Sequence, residues 1–393
     1  MQRSRLPAGG ANIFQKIRSK RAEAVAQGIE LLDMSIGEPK GAALMSARKA
    51  ARDAVMSDTE SMHAYQYNDS PAVPDFARRF VTAHFERSMP KEGVDYLPIP
   101  GIKPIIGLLP LACGCALEDV TVATMTKPGY PIPADWCAYH VNVTHYPLPL
   151  NSQNQFRFSV ADIEKPTHLI MTNYPHNPSG QIATADWLKL LCQYCSDNDI
   201  RLFNDAAYYA LSHIEDSTTL AEIAVDYPEL SWAEGYTAAK LIGNGTGWHV
   251  GALVGSPDFI GDMKEVKGKT DAGIVAPMAA GAIASLEEDQ AGMERYREMY
   301  RVRLELLIKV MSDCGMQLAS QPKAGFYTLW DAPTRAFGQS MESAEAFNFA
   351  MIDKTGVVGV HFPGFIRYAV CADIAEMEDG LRKAFKKADV GYD

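Results

Sequence analysis

The chain lacks any surplus of positive charge: 37 lysines and arginines face 48 aspartates and glutamates, for a net charge of −11. That balance excludes the basic footprint of a protein that grips nucleic acid or an anionic membrane surface. No apolar run reaches membrane-spanning length, and Met1–Pro7 lacks the apolar stretch of a secretory leader. The cysteines are few, scattered and odd in number, seven in all, which speaks against a disulfide framework and for a reducing, cytoplasmic setting. Cys192 and Cys195 are spaced as a CxxC, but they fall inside the apolar pattern of Trp187, Leu188, Leu191 and Tyr194. With no second ligand pair nearby they read as core residues and not as a metal or redox site. Internal repeats, low-complexity tracts and a linker of disordered composition are absent too.

What remains is an ordinary globular composition, 47% hydrophobic and 22% charged over 393 residues, enough for two or three domains with sizeable cores. Residues 12–28 are predicted helical, with Ile13, Phe14, Ile17 and Ala22 on one face. A short strand at Leu31–Met34 ends in the turn 35–39. Helices are expected over 41–56, 73–86, 104–115 and 183–197, and strands over 120–125, 167–172, 200–203, 232–236 and 252–255. A helical region over 274–314, broken near Gln290-Ala-Gly, leads to strands at 325–330 and 357–360 and a last helix at 374–387. Strands alternate with helices, and polar residues gather at the strands' C-terminal ends. That is the pattern of an open, mainly parallel α/β sheet with its ligand beyond those ends.

Several residues stand out on chemical grounds. Lys240 sits in Thr-Ala-Ala-Lys-Leu-Ile-Gly, among small and apolar neighbours. Such a lysine is either a packing accident or a desolvated amine, whose lowered pKa suits it to attack a carbonyl. Gly101, before Ile102 and Lys103, is either a simple helix cap or the opening of an anion-binding helix start. Tyr130, in Lys-Pro-Gly-Tyr-Pro, is either packing or a flat platform for an aromatic ligand.

Taken together, the motifs resemble those of the fold-type I pyridoxal-phosphate (PLP) enzymes, and within them the class I/II aminotransferases, from about residue 30 to residue 385. Asn173-Tyr-Pro-His-Asn177-Pro-Ser-Gly180 is similar to the family's Asn-Pro-x-Asn-Pro-Thr-Gly. Asp205-Ala-Ala-Tyr208 resembles its Asp-x-x-Tyr, Thr237-Ala-Ala-Lys240 its Ser-x-x-Lys, and Gly247-Trp-His-Val-Gly251 its Gly-Trp-Arg-x-Gly. The resemblance implies a three-layer α/β/α large domain with a mainly parallel sheet over residues 46–290, and a smaller α/β domain from 1–45 and 291–393. It makes Lys240 the Schiff-base lysine, Asp205 the partner of the pyridine nitrogen, and Tyr208 and Asn177 the partners of the ring's phenolic oxygen. Tyr130 would stack on the ring. Backbone amides of Gly101, Ile102 and Lys103, the Thr237 hydroxyl and Tyr67 of a neighbouring subunit would hold the phosphate, so a homodimer with shared sites is implied. Arg367 would clamp the substrate α-carboxylate, a fork-to-fork match, and Gly37 would line the substrate side.

Two departures from the family pattern concern the ligands. His249 stands where relatives carry arginine, one place further from the lysine, so a fixed cation is lost or becomes titratable. The segment before Arg367 is shorter than in relatives, which leaves the side-chain pocket more open. Lys103 occupies a place where relatives acting on aspartate or LL-diaminopimelate also carry lysine. It either reaches a distal carboxylate or faces solvent with only its amide in use. The expected activity is transfer of an amino group between an L-amino acid and a 2-oxo acid. The alternative is another PLP reaction at the α-carbon, such as elimination, decarboxylation or oxidation, because the fold does not fix the reaction.

Overall fold

The computed structural model describes residues 13–85, 89, 92–215 and 217–392; residues 12 and 86 of the expected helices, and Met1–Pro7, lie outside them. Seven strands make one sheet: β1 (Asp95–Ile99), β2 (Val120–Thr124), β3 (Val143–Pro147), β4 (Leu169–Thr172), β5 (Arg201–Asp205), β6 (Trp232–Thr237) and β7 (Gly251–Gly255), ordered β1-β7-β6-β5-β4-β2-β3. The neighbours from β6 to β3 pair in parallel. β7 alone is reversed, antiparallel to both β6 and β1. Every residue of β4 and of β7 is buried, as strands covered on both faces must be.

Alternation along the strands explains the layers. Ile170, Leu202, Ala252 and Val254 feed one core, with Leu188, Leu191, Cys192 and Cys195 of the helix Ala185–Asp197. Leu169, Met171, Phe203 and Leu253 point the other way, into a core with Ile105, Leu109, Phe259 and Met263. Successive side chains of a strand face opposite sides, so one sheet separates two helical layers, the three-layer α/β/α arrangement expected. Cys192 and Cys195 are free and buried, and burial pushes the Cys192 thiol up to about 12, so both stay inert thiols.

Some local expectations need correction. The helix predicted over 104–115 is two short ones, Ile102–Ile106 and Leu109–Ala112. Between them the Trp136 ring packs against Gly107, where a Cβ would lie 2.7 Å from it, so the chain turns around an indole that no local pattern announces. The first helix, Ile13–Ala26, buries Ile17 and Ala24 and leaves Ala22 exposed. The strand β3 and the helices Pro257–Lys267 and Ala344–Thr355 were not anticipated.

A second sheet consists of β8 (Leu318–Ser320), β9 (Tyr327–Asp331), β10 (Val360–Phe362) and β11 (Phe365–Ala369), ordered β10-β11-β9-β8 and antiparallel throughout. Its core residues Phe326, Trp330 and Tyr368 pack with Tyr300, Leu304 and Leu307 of the helix Gln290–Ser312 and with Leu381 and Phe385 of the helix Ile374–Ala388. The predicted break in the helical region falls at Asp289, whose side chain caps the second helix by accepting from the Gly292 amide at 2.9 Å. Near the N-terminus, Leu32–Asp33 pairs in parallel with Val357–Val358, which joins an early segment of the chain to a late one.

Candidate active site

The parallel strands deliver their C-terminal ends to one edge of the large sheet, where open α/β sheets place ligands. β1 leads there into Gly101, β4 into Asn173, β5 ends at Asp205, and β6 leads into the turn Ala238–Lys240. A cavity of ≈ 700 Å³ opens at this edge. Gly37, Gly101, Ile102, Lys103, Tyr130, Asn177, Asp205, Tyr208, Thr237, Lys240, His249 and Arg367 all line it. Tyr67 does not. It lies on the surface, 57% exposed, in the left-handed region at φ 43° and beside the Tyr65 ring.

Burial lowers the Lys240 pKa, an effect that the nearby Cys371, Glu38 and Asp205 only partly oppose. Its Nζ donates to the Gly37 carbonyl at 3.2 Å and lies over the Phe326 ring. Asp205 opens partly to the cavity, yet protein encloses its carboxylate. Burial raises its pKa to about 6, against the Ala207 N–H that it accepts at 3.1 Å and the charge of Lys240. Desolvation disfavours the charged form of both groups, so an amine and a carboxylate face one space, each short of a partner.

Asn173 organises the loop after β4. Its Nδ2 donates to the Asp205 carbonyl at 2.9 Å and its Oδ1 accepts from the Asn177 amide at 3.0 Å. The Asn177 Oδ1 then accepts from Arg367 Nη1 at 2.9 Å. Arg367 stands on β11, buried to 3% exposure. Its Nη2 donates to the Ser35 carbonyl at 2.9 Å, its guanidinium lies 4.3 Å from the Tyr327 ring centroid, and its Nε has no partner. Among the described residues no carboxylate pairs with it. A buried guanidinium with a free donor and no counter-ion is a place prepared for an anion.

Two aromatic residues meet across the floor: the Tyr208 and Tyr327 hydroxyls are 3.2 Å apart. Gly37 lies so close to Tyr327 that a Cβ would sit 1.7 Å from its hydroxyl, so only glycine allows this approach. Gly101 takes φ 94° ahead of the helix Ile102–Ile106, which leaves the first amides of that helix free. The Thr237 hydroxyl accepts from the Ala239 amide at 3.2 Å. Burial pushes the Tyr130 hydroxyl well up. Lys103 and His249 are exposed at the rim, His249 in the left-handed region at φ 53°. Behind the site, Asn204 donates to the Tyr174 carbonyl and accepts from the Tyr174 amide, and it donates to the wholly buried Glu234 at 2.6 Å. Glu234 also accepts from Leu220 N, Ala221 N and Tyr236 Oη, and burial still raises its pKa to about 7.

Sequence reasoning missed Asn173, Ser35 and Tyr327 as lining or positioning groups, and Phe14, Ile17, Arg18 and Arg21 of the first helix, which also line the cavity. Asn173 carried a signal, since it is the first residue after an apolar strand. Tyr327 carried none.

Comparison with known proteins agrees with this geometry. The family model "aminotransferase class I and II" matches residues 29–383. Two relatives named LL-diaminopimelate aminotransferase are similar: that of Methanocaldococcus jannaschii is 28% identical, covering 93% of this chain and 87% of its own length, and that of Dehalococcoides mccartyi 26%, covering 94% and 95%. The aspartate aminotransferase of Rhizobium meliloti superposes with a TM-score of 0.85 at 18% identity, covering 99% of this chain and 98% of its own. The Bacillus subtilis BacF structure does so at 0.84 and 18%, covering 100% and 99%; at these identities the likeness is one of fold. With the family match spanning nearly the whole chain and the motif residues converging on one cavity, the protein belongs to the class I and II aminotransferases.

Proposed function

We propose that this chain transfers an amino group between an L-amino acid and a 2-oxo acid with pyridoxal 5′-phosphate held in the cavity and attached to Lys240. The observation that carries the reading is the convergence of Lys240, Asp205 and Arg367 on one space. The donor set suits the cofactor: an enclosed carboxylate whose pKa burial raises to about 6, a lysine whose neutral form burial favours, and free amides at Ile102 and Lys103. When bound, the cofactor supplies an electron sink for the substrate α-carbon.

The residues divide the remaining work. Asp205 would hold a proton at the pyridine nitrogen, and its own pKa would fall as the pair forms. Tyr208 and Asn177 would donate to the phenolic oxygen, and Tyr130 would cover the ring. The amides at Gly101–Lys103 and the Thr237 hydroxyl would orient the phosphate, with His249 at the rim in place of a permanent cation. Arg367 would take the α-carboxylate with its fork, and Gly37 would leave room beside it. The Lys240 amine would carry the proton to and from the substrate α-carbon. LL-diaminopimelate and aspartate, named for the relatives, each carry a second carboxylate. Lys103 and Arg18 at the cavity wall support a substrate with such a group.

We further read the protein as a cytoplasmic homodimer in which Tyr67 serves the partner's site, and as two units, 46–290 and 1–45 with 291–393. No helix among the described residues is long and apolar enough to cross a membrane. The test is borohydride reduction of the cofactor-loaded protein followed by peptide mass analysis. The cofactor mass should appear on the peptide holding Lys240 and vanish in Lys240→Ala; a label on another lysine overturns the assignment. A half-reaction screen against a panel of amino acids then identifies the substrate.

A further inference from the structure

The helix Pro257–Lys267 ends in a lysine with no solvent exposure at all. Lysines are almost never fully buried unless paired, and this one is saturated. Its three donors go to Asp271 Oδ1 at 2.7 Å, Asn68 Oδ1 at 3.3 Å and the Tyr67 carbonyl at 3.4 Å. The same Asp271 oxygen accepts from the Gly273 amide at 2.8 Å. The Ala272 carbonyl accepts from the amides of Gln66 at 3.1 Å and Tyr67 at 2.8 Å. Gly273, at φ 100°, comes so close that a Cβ there would lie 2.4 Å from Tyr67 N. Gln66, 1% exposed, ties the loop's other side by donating to the Ser61 and Ala64 carbonyls and accepting from the Ala72 amide.

All this bonding serves a loop whose visible product is two exposed tyrosine rings, with Tyr67 held at a positive φ that non-glycine residues seldom adopt. A charge buried beneath a surface loop is costly to place, and here it fixes the backbone that aims an exposed ring. Rigidity of this kind is preorganisation for a contact outside the chain.

We propose that Lys267 is a positioning residue: its buried ammonium fixes the Tyr67 backbone so that the phenol is presented to the cavity of a second copy of this chain, where it donates to the cofactor phosphate. This rests on the reading of Tyr67 as the partner's ligand. Lys267 touches neither cofactor nor substrate; it acts through Tyr67.

The test is the equilibrium dissociation constant of pyridoxal 5′-phosphate, read by absorbance, for full-length wild type, Tyr67→Phe, Lys267→Met and the double variant. Tyr67→Phe should weaken binding about tenfold or more, the loss of one hydrogen bond to a charged acceptor. Lys267→Met should weaken it too, and the double variant should be no weaker than Tyr67→Phe, because the two act as one unit. If Lys267→Met keeps its full effect in the Tyr67→Phe background, or has none in the wild-type background, the clamp is refuted while the Tyr67 reading stands. If Tyr67→Phe leaves binding unchanged, the Tyr67 reading fails and takes the clamp with it. Hybrid dimers of Lys240→Ala and Lys267→Met subunits should hold one site of wild-type affinity per dimer; finding none shows that Lys267 serves its own subunit's site. Should Lys267→Met not fold, Gly273→Ala displaces the same backbone and should show the same non-additivity with Tyr67→Phe.

Discussion

Asp205→Asn should make the cofactor-free protein more stable. The Asp205 carboxylate is enclosed, receives one N–H from Ala207, and has its pKa raised to about 6 from an ordinary 3.8. Between those values the folded protein binds more protons than the unfolded chain, so stability falls as pH rises through that window and levels off above it. At 1.36 kcal/mol per pH unit the displacement amounts to up to about 3 kcal/mol. Asparagine cannot ionise, and its Oδ1 can still accept from Ala207. Its NH₂ faces the cavity without a fixed acceptor, which returns about 1 kcal/mol of that gain. The variant should therefore exceed wild type by about 2 kcal/mol at pH 7.5 and lie about 0.5 kcal/mol below it at pH 4. Urea unfolding of both cofactor-free proteins at several pH values from 4 to 7.5 measures this. The difference between the two proteins isolates Asp205 from every other titrating group. Added cofactor should reverse the order, because wild type gains more binding free energy from the same free concentration. A difference that stays constant from pH 4 to 7.5 would refute the claim that burial strains this carboxylate.

Arg367→Lys keeps the charge and loses the fork, so half-reaction kcat/KM should fall about ten- to a hundredfold with cofactor affinity unchanged; an unchanged KM for the amino acid counts against the carboxylate role. Gly37→Ala must push the Tyr327 hydroxyl aside and break its contact with Tyr208, and a displacement of about an ångström costs on the order of a hundredfold in rate. Circular dichroism should show that variant folded, and wild-type turnover would contradict the crowding argument. Glu234→Gln should change the pH profile of stability: burial raises the Glu234 pKa to about 7 from 4.5, so wild type loses stability relative to the variant as pH rises between those values. Parallel stability curves for the two proteins would show that Glu234 titrates normally.

The three motifs at the ends of β4, β5 and β6 were legible because each follows an apolar strand directly, so the local pattern also fixes the place in the fold. Lys240, Asp205 and Asn177 are thus set at one edge by local pattern alone. Arg367 was named, but its strand was not. Phe365–Ala369 follows Pro363-Gly364 and alternates poorly, and its strand character comes from pairing with Tyr327–Asp331, about 40 residues earlier. Tyr327 was illegible for a related reason: its place depends on Gly37, far away in the chain, having no side chain. The first helix reads as amphipathic and nothing in it says that Phe14 and Arg18 reach a cavity. Short-range patterns gave the parts that one strand and one turn complete, and long-range contacts supplied the rest.

The reversed strand β7 has a consequence for synthesis on the ribosome. β1 leaves the tunnel early, yet among the described residues its only partner in the sheet is β7, which is made about 150 residues later. At translation rates of ~5–20 residues per second, Asp95–Ile99 waits roughly eight to thirty seconds with an open edge. Its sequence, Asp-Tyr-Leu-Pro-Ile, carries a proline whose missing N–H blunts that edge against stray pairing. Arg367 follows later still, by more than a hundred residues. A nascent chain can therefore complete its large sheet, with Lys240 and Asp205 at its edge, before Arg367 has emerged.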